Sequence, residues 1–159
     1  MSKLYFGYGM NTNIEEMSYR CPKAINCGHA VIKHYRLAFR GVADFEHAEN
    51  FNLHGVLWLI TPECEIALDR LEGYPTLYDK LYMTAKVKKA NLHSVPENIE
   101  LPIMIYQMHD RSYRQPNESY YNTLKKGYKR NNLPTKQLLK AKIFAVQNQK
   151  NYLNTWEVK

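Results

Sequence analysis

Residues 61–78 read TPECEIALDRLEGYPTLY, and they predict a helix set between two strands. Thr61 suits an N-cap, and Pro62 suits the first helical position, where a missing N–H costs nothing. Glu63 then lies favourably against the positive end of the helix dipole. Ile66, Ala67 and Leu71 lie about one turn apart and predict an apolar face, and Gly73 with Pro75 ends the helix directly after Glu72. Upstream, Leu53–Ile60 carries Val56, Leu57, Trp58 and Leu59 and reads as a buried strand interrupted only by Gly55. Downstream, Leu81, Met83, Ala85 and Val87 alternate against Tyr82, Thr84, Lys86 and Lys88, the period of a half-buried strand.

The same alternation recurs farther out. Ile103, Ile105 and Gln107 alternate with Met104, Tyr106 and Met108, after a polar stretch, Ala90–Glu100, that reads as an exposed connection. Val31, Tyr35, Leu37 and Phe39 mark one face of a long strand over His29–Arg40, and the polar segment Asp44–Asn52 reads as the link to Leu53. Lys3–Tyr8 is an aromatic-rich strand entering a sharp turn at Gly9. Thr12 and Glu15 fit a capping box for a short helix, Ile14–Tyr19, stopped by Pro22. After Pro116, the spacing of Tyr120, Tyr121, Leu124 and Tyr128, and later of Leu138, Leu139 and Ile143, turns helical. Five or six strands with short helices suggest an α+β fold or a β-barrel, not a doubly wound sheet. One domain over residues 1–159 is expected, with a basic helical C-terminal region from about residue 117.

Composition narrows the function classes. No apolar run approaches the roughly 20 residues of a membrane-spanning helix, and the N-terminus lacks a signal pattern, so a cytoplasmic protein without a membrane partner is expected. Cys21, Cys27 and Cys64 match neither a zinc pair nor a disulfide framework and are expected as free thiols. The six histidines form no HxxxH or HxH pair, so no metal is expected. Charge is uneven: residues 1–79 carry seven Lys and Arg against ten Asp and Glu, whereas residues 80–159 carry fifteen against five. Lys125, Lys126, Lys129 and Arg130 cluster on one predicted helix, which reads as a solvated face or as a surface for an acidic partner such as RNA.

Two places stand out chemically: the turn Tyr8-Gly9-Met10-Asn11 after the first strand, and Glu72 at a helix end. The order of LYFGYGMN at residues 4–11, RCP at 20–22, GVLW at 55–58 and LDRLEGYP at 68–75 with Tyr78 resembles the γ-glutamylcyclotransferase-like (AIG2-like) superfamily. That resemblance extends over most of the chain, returning at Pro116, Tyr121, Gly127-Tyr128 and Leu133-Pro134. It implies an α+β chain folded as a small mixed β-barrel with short flanking helices, whose cavity receives a γ-glutamyl group. The turn formed by Tyr8, Gly9, Met10, Asn11 and Thr12 would grip the charged end of that group. Glu72 would act as general base and acid, Tyr78 would line the mouth, and 5-oxoproline and an amine would be released. The reaction implied needs no cofactor. The better-known family turn reads YGSN, and here Met10 stands at the serine position. Arg20 is expected to fasten the turn, and Asp44 reads as a cavity acid or a loop residue. The alternative reading is a catalytically silent barrel that binds a small metabolite or an acidic partner through its basic half.

Overall fold

A computed structural model describes residues 1–157, with side chains described as far as Gln149. The elements in chain order are β1 (Lys3–Gly7), a 3-10 turn (Met10–Thr12), α1 (Ile14–Arg20), β2 (Ile25–Phe39), β3 (Ala43–Ile60), α2 (Pro62–Glu72), β4 (Tyr78–Ala90), β5 (Glu100–Met108), α3 (Glu118–Arg130) and α4 (Lys136–Glu157). The five strands close into a barrel in the order β1-β3-β2-β4-β5. Neighbours are antiparallel except for the parallel closure of β1 on β5, where Tyr5 pairs with Met104. Phe6, Leu57, Val87 and Ile105 are fully buried in the core, and α4 packs Leu138, Ala141 and Ala145 into it.

The helix read from residues 61–78 forms with the ends expected of it. The Thr61 hydroxyl accepts the Cys64 N–H at 3.2 Å, and Gly73 takes the left-handed conformation, φ 71°, that ends α2 after Glu72. Its buried face differs from expectation: Cys64 and Leu68 point inward, while Ile66 and Leu71 stay exposed. Spacing of one turn identifies a stripe but not which stripe meets the core.

Three further expectations are corrected. Residues 44–52 belong to a strand and not to a link, because β2 and β3 run beyond the barrel as a paired ribbon. Tyr35 pairs with His47 and Arg36 with Glu46 there, so cross-strand hydrogen bonds and ion pairs hold a segment that is too polar for a core strand. The cap of α1 is Asn13, whose side chain accepts the Glu16 N–H at 3.1 Å, since Thr12 is taken up in the 3-10 turn. Cys21 and Cys64 are not free thiols but form a disulfide, with Cα atoms 5.2 Å apart across a sequence separation of 43. Packing of α1 on α2 brings together two cysteines that local spacing cannot relate; Cys27 remains free and buried.

Candidate active site

At the end of β1 the chain turns through Tyr8–Asn13, and β3, α3 and the Asn131 cap of α3 hold that turn. The Trp58 indole N–H donates to the Asn11 carbonyl at 2.8 Å, and the Tyr128 hydroxyl to the Tyr8 carbonyl at 2.7 Å. Asn131 donates to the Thr12 carbonyl at 2.7 Å, and Asn13 donates to the Thr123 carbonyl at 3.2 Å. Gly127 lets α3 approach so closely that a Cβ there would lie 2.6 Å from Thr12 Oγ1 and 2.7 Å from the Asn13 nitrogen. Within the turn the Thr12 N–H is consumed by the Gly9 carbonyl at 3.0 Å and the Asn13 N–H by Met10. The N–H groups of Gly9, Met10 and Asn11 have no acceptor among the described residues. Backbone donors left free at a rigid turn form a place for an anion.

A cavity of about 260 Å³ opens beside this turn, and Glu72 lines it together with Tyr8, Gly9, Met10, Asn11 and Tyr78. Of the turn residues expected to grip the ligand, only Thr12 falls outside the lining: it is fully buried, and its hydroxyl donates to the Gly9 carbonyl at 2.8 Å. Asn11 lines the cavity but spends its side chain on protein, donating to Tyr5 Oη at 2.9 Å and accepting from the Arg20 guanidinium. Arg20 thus fastens the turn as expected, and it also reaches the lining. Asp44 does not line the cavity. It is fully buried, accepts from Arg40 Nε at 2.6 Å and from the Met108 N–H at 2.9 Å, and holds the β2–β3 ribbon to β5.

Glu72 is the only acid among the lining residues, and it has no hydrogen-bond or ion-pair partner among the described residues. Burial pushes its pKa up to about 7, with the Arg20 charge opposing the shift only in part. Its position is set one turn earlier by Asp69, which accepts from Tyr106 Oη at 2.6 Å and from Lys80 Nζ at 3.0 Å, tying α2 to β5 and β4. Tyr5, Tyr106 and Tyr120 also line the cavity, and burial raises each phenol so that it stays protonated at neutral pH. Tyr5 Oη accepts from Asn11 and Tyr120 Oη accepts the Ala43 N–H at 2.9 Å, so both keep a proton to donate. The Tyr78 hydroxyl has no hydrogen-bond partner among the described residues. Lys125, Lys126, Lys129 and Arg130 are not part of the lining.

A lone carboxylate with a raised pKa, free backbone donors and neutral phenols in one small cavity suit a zwitterionic ligand whose ammonium must lose a proton. The sequence model of the AIG2-like gamma-glutamyl cyclotransferase family matches residues 5–124, a span that includes the turn, Glu72 and Tyr78. The chain belongs to that family. A gamma-glutamylcyclotransferase from Mus musculus is 26% identical over 151 residues, covering 87% of this chain and 77% of its own. A solved structure of a gamma-glutamyl cyclotransferase superposes with a TM-score of 0.76 at 22% identity, covering 89% of this chain and 87% of that one. YkqA from Bacillus subtilis superposes at 0.70 and 18% identity, covering 91% of this chain and 54% of its own. These likenesses fix the architecture as the α+β barrel of cyclotransferase structures. The tyrosines Tyr5, Tyr106 and Tyr120 were missed in the sequence because alternation assigned them to strand and helix faces without saying which face meets the cavity.

Proposed function

We propose that this family member is a γ-glutamylcyclotransferase that cyclises a γ-glutamyl amide to 5-oxoproline and releases the amine. The observation that carries the reading is Glu72: an unpartnered carboxylate with a pKa pushed up to about 7, in the same cavity as the free N–H groups of Gly9, Met10 and Asn11.

The substrate's α-carboxylate or its developing oxyanion takes the backbone donors of the turn, which need no reorganisation to meet it. Glu72 accepts a proton from the α-ammonium, and the freed nitrogen attacks the γ-carbonyl carbon. A carbon–nitrogen bond forms to close the five-membered ring, and the bond to the departing nitrogen breaks. Two protons leave the α-nitrogen in all and both end on the leaving amine, carried in turn by Glu72, so the products are 5-oxoproline and an ammonium ion. Nucleophile and electrophile belong to one molecule, so holding the folded conformer supplies much of the acceleration. A base whose pKa lies near neutrality is ionised often enough to accept and acidic enough to return the proton. The tyrosine hydroxyls, neutral at this pH, can orient the carbonyl and exclude water.

The test is 5-oxoproline release from a panel of γ-glutamyl amides by the wild type and by Glu72→Gln, with folding checked by circular dichroism. Turnover by the wild type that falls about 10²–10⁴-fold in the variant supports the assignment. A folded Glu72→Gln protein with undiminished turnover removes Glu72 from the reaction.

A further inference from the structure

The opening of the cavity is apolar. Val42, Leu71 and Leu77 line it and remain 38%, 47% and 62% exposed, and a side chain that both lines a cavity and faces solvent lies at its mouth. Met10, where the better-known family turn has serine, adds a half-buried thioether to the lining. Arg20 is the only cation among the lining residues, and it is already engaged by Asn11 and, at 3.6 Å, by the Glu16 carboxylate. The cavity itself is small. At about 260 Å³ it falls below the roughly 300–1,000 Å³ of sites that enclose a whole drug-sized ligand. A γ-glutamyl unit held inside would therefore leave the rest of the substrate against the rim.

Resting on the cyclotransferase reading, we infer that the enzyme selects γ-glutamyl amides whose leaving amine is apolar, with Met10, Val42, Leu71 and Leu77 as the specificity surface. An alkyl chain removes rim surface from water as it binds. A leaving group with a terminal carboxylate finds no uncommitted cation there, and one with a terminal ammonium finds no acid but Glu72, which must stay available to the α-amine. Selection of this kind acts on binding and leaves the bond-breaking step alone, since the scissile amide is unchanged.

Three substrates of matched length isolate the effect: the γ-glutamyl amides of pentylamine, of 1,4-diaminobutane and of 5-aminopentanoate. They differ only in a terminal methyl, ammonium or carboxylate. The pentylamide is expected to show a KM about tenfold lower than either charged member at similar kcat. Leu77→Lys, a change at an exposed position, is expected to abolish that preference and to favour the carboxylate member, and Val42→Lys to act in the same direction. Equal KM values across the three, or a preference for a charged member, would overturn the inference and leave the cyclotransferase reading standing. Absence of 5-oxoproline from all three, with folded wild-type protein and none from any other γ-glutamyl amide, would overturn both.

Discussion

Glu72 ends α2 with its carboxylate in a cavity of phenols, and burial there raises its pKa from the ordinary carboxylate range to about 7. Two consequences follow with opposite value to the protein. In its proposed role of general base, Glu72 must be ionised, so kcat/KM is expected to rise with pH through about 7; a Glu72→Gln variant should lack that limb. For stability the sign reverses. A folded-state pKa above the unfolded one favours the protonated fold, so this contribution is fully present below the unfolded value of about 4.5 and is lost as pH rises through about 7. Glu72→Gln, which cannot ionise, should melt close to the wild type near pH 4 and be the more stable at pH 8, by on the order of 2–3 kcal/mol. Thermal melts at the two pH values check this; a variant less stable at pH 8 would mean that Glu72 makes a stabilising contact when charged. Its place at the helix end was legible from Gly73 and Pro75, but what singled it out as a site carboxylate was the resemblance carried by LDRLEGYP at residues 68–75. The phenols around it were not legible: among thirteen tyrosines, none of the local patterns separates one that lines a cavity from one that packs.

At the scale of elements, the site is made by pinning two segments, the turn after β1 and the end of α2, to the same wall of the barrel. The disulfide joins the helix that follows the turn to the start of the helix that Glu72 ends: Cys21 caps α1 next to Arg20, and Cys64 sits in the first turn of α2. Opening a loop of 43 residues frees the unfolded chain by about 3–4 kcal/mol in the chain-entropy picture. Cys64→Ser is therefore expected to lower Tm by roughly 6–16 °C, and reductant should lower the wild type by a similar amount. An unchanged Tm when titration shows the thiols to be free would remove the bond from the stability of the fold. On the other side of the turn, Gly127→Ala sets two effects against each other. Alanine favours a helix by about 1 kcal/mol over glycine, but a methyl group 2.7 Å from the Asn13 nitrogen meets backbone that cannot swing aside. Overpacking costs about 1–3 kcal/mol, so a net loss in urea denaturation is expected, with a fall in kcat/KM as the turn is displaced. A neutral Gly127→Ala would show that α3 can slide. Helix α2 was legible because its caps are local in sequence, whereas the disulfide, the 44–52 ribbon and the Asn13 cap were not. Each of those depends on a partner from elsewhere: Cys64 for Cys21, Tyr35–Phe39 for Ala43–His47, and the 3-10 turn that absorbs Thr12.

For the molecule as a whole, the charge is divided unevenly along the chain, yet the basic C-terminal helices pack into the same core as the barrel. Tyr121, Leu124 and Tyr128 of α3 are buried in the same core as Phe6 and Leu57, and Tyr120 supplies part of the cavity wall. Gln137 of α4 is clamped to β3, accepting the His54 N–H at 2.8 Å and donating to the His54 carbonyl at 2.9 Å. The lysines that give the region its charge lie on the other faces: Lys126, Lys129 and Arg130 are exposed, and Lys142 Nζ stands 4.5 Å from the Tyr121 ring centroid. An amphipathic helix arranged this way buries apolar surface on one side whatever the polar side carries. We therefore expect the chain to unfold as one cooperative unit, with calorimetric and van't Hoff enthalpies in agreement. A protein ending at Gln115 should then lose the clamp on the Tyr8 carbonyl, the Tyr120 wall and the core contributions of α3 and α4 together, and should fail to fold. Two resolved transitions in the full chain, or a folded truncated barrel, would show instead that the basic helices are a separate module, and would return weight to a binding role for their charged face.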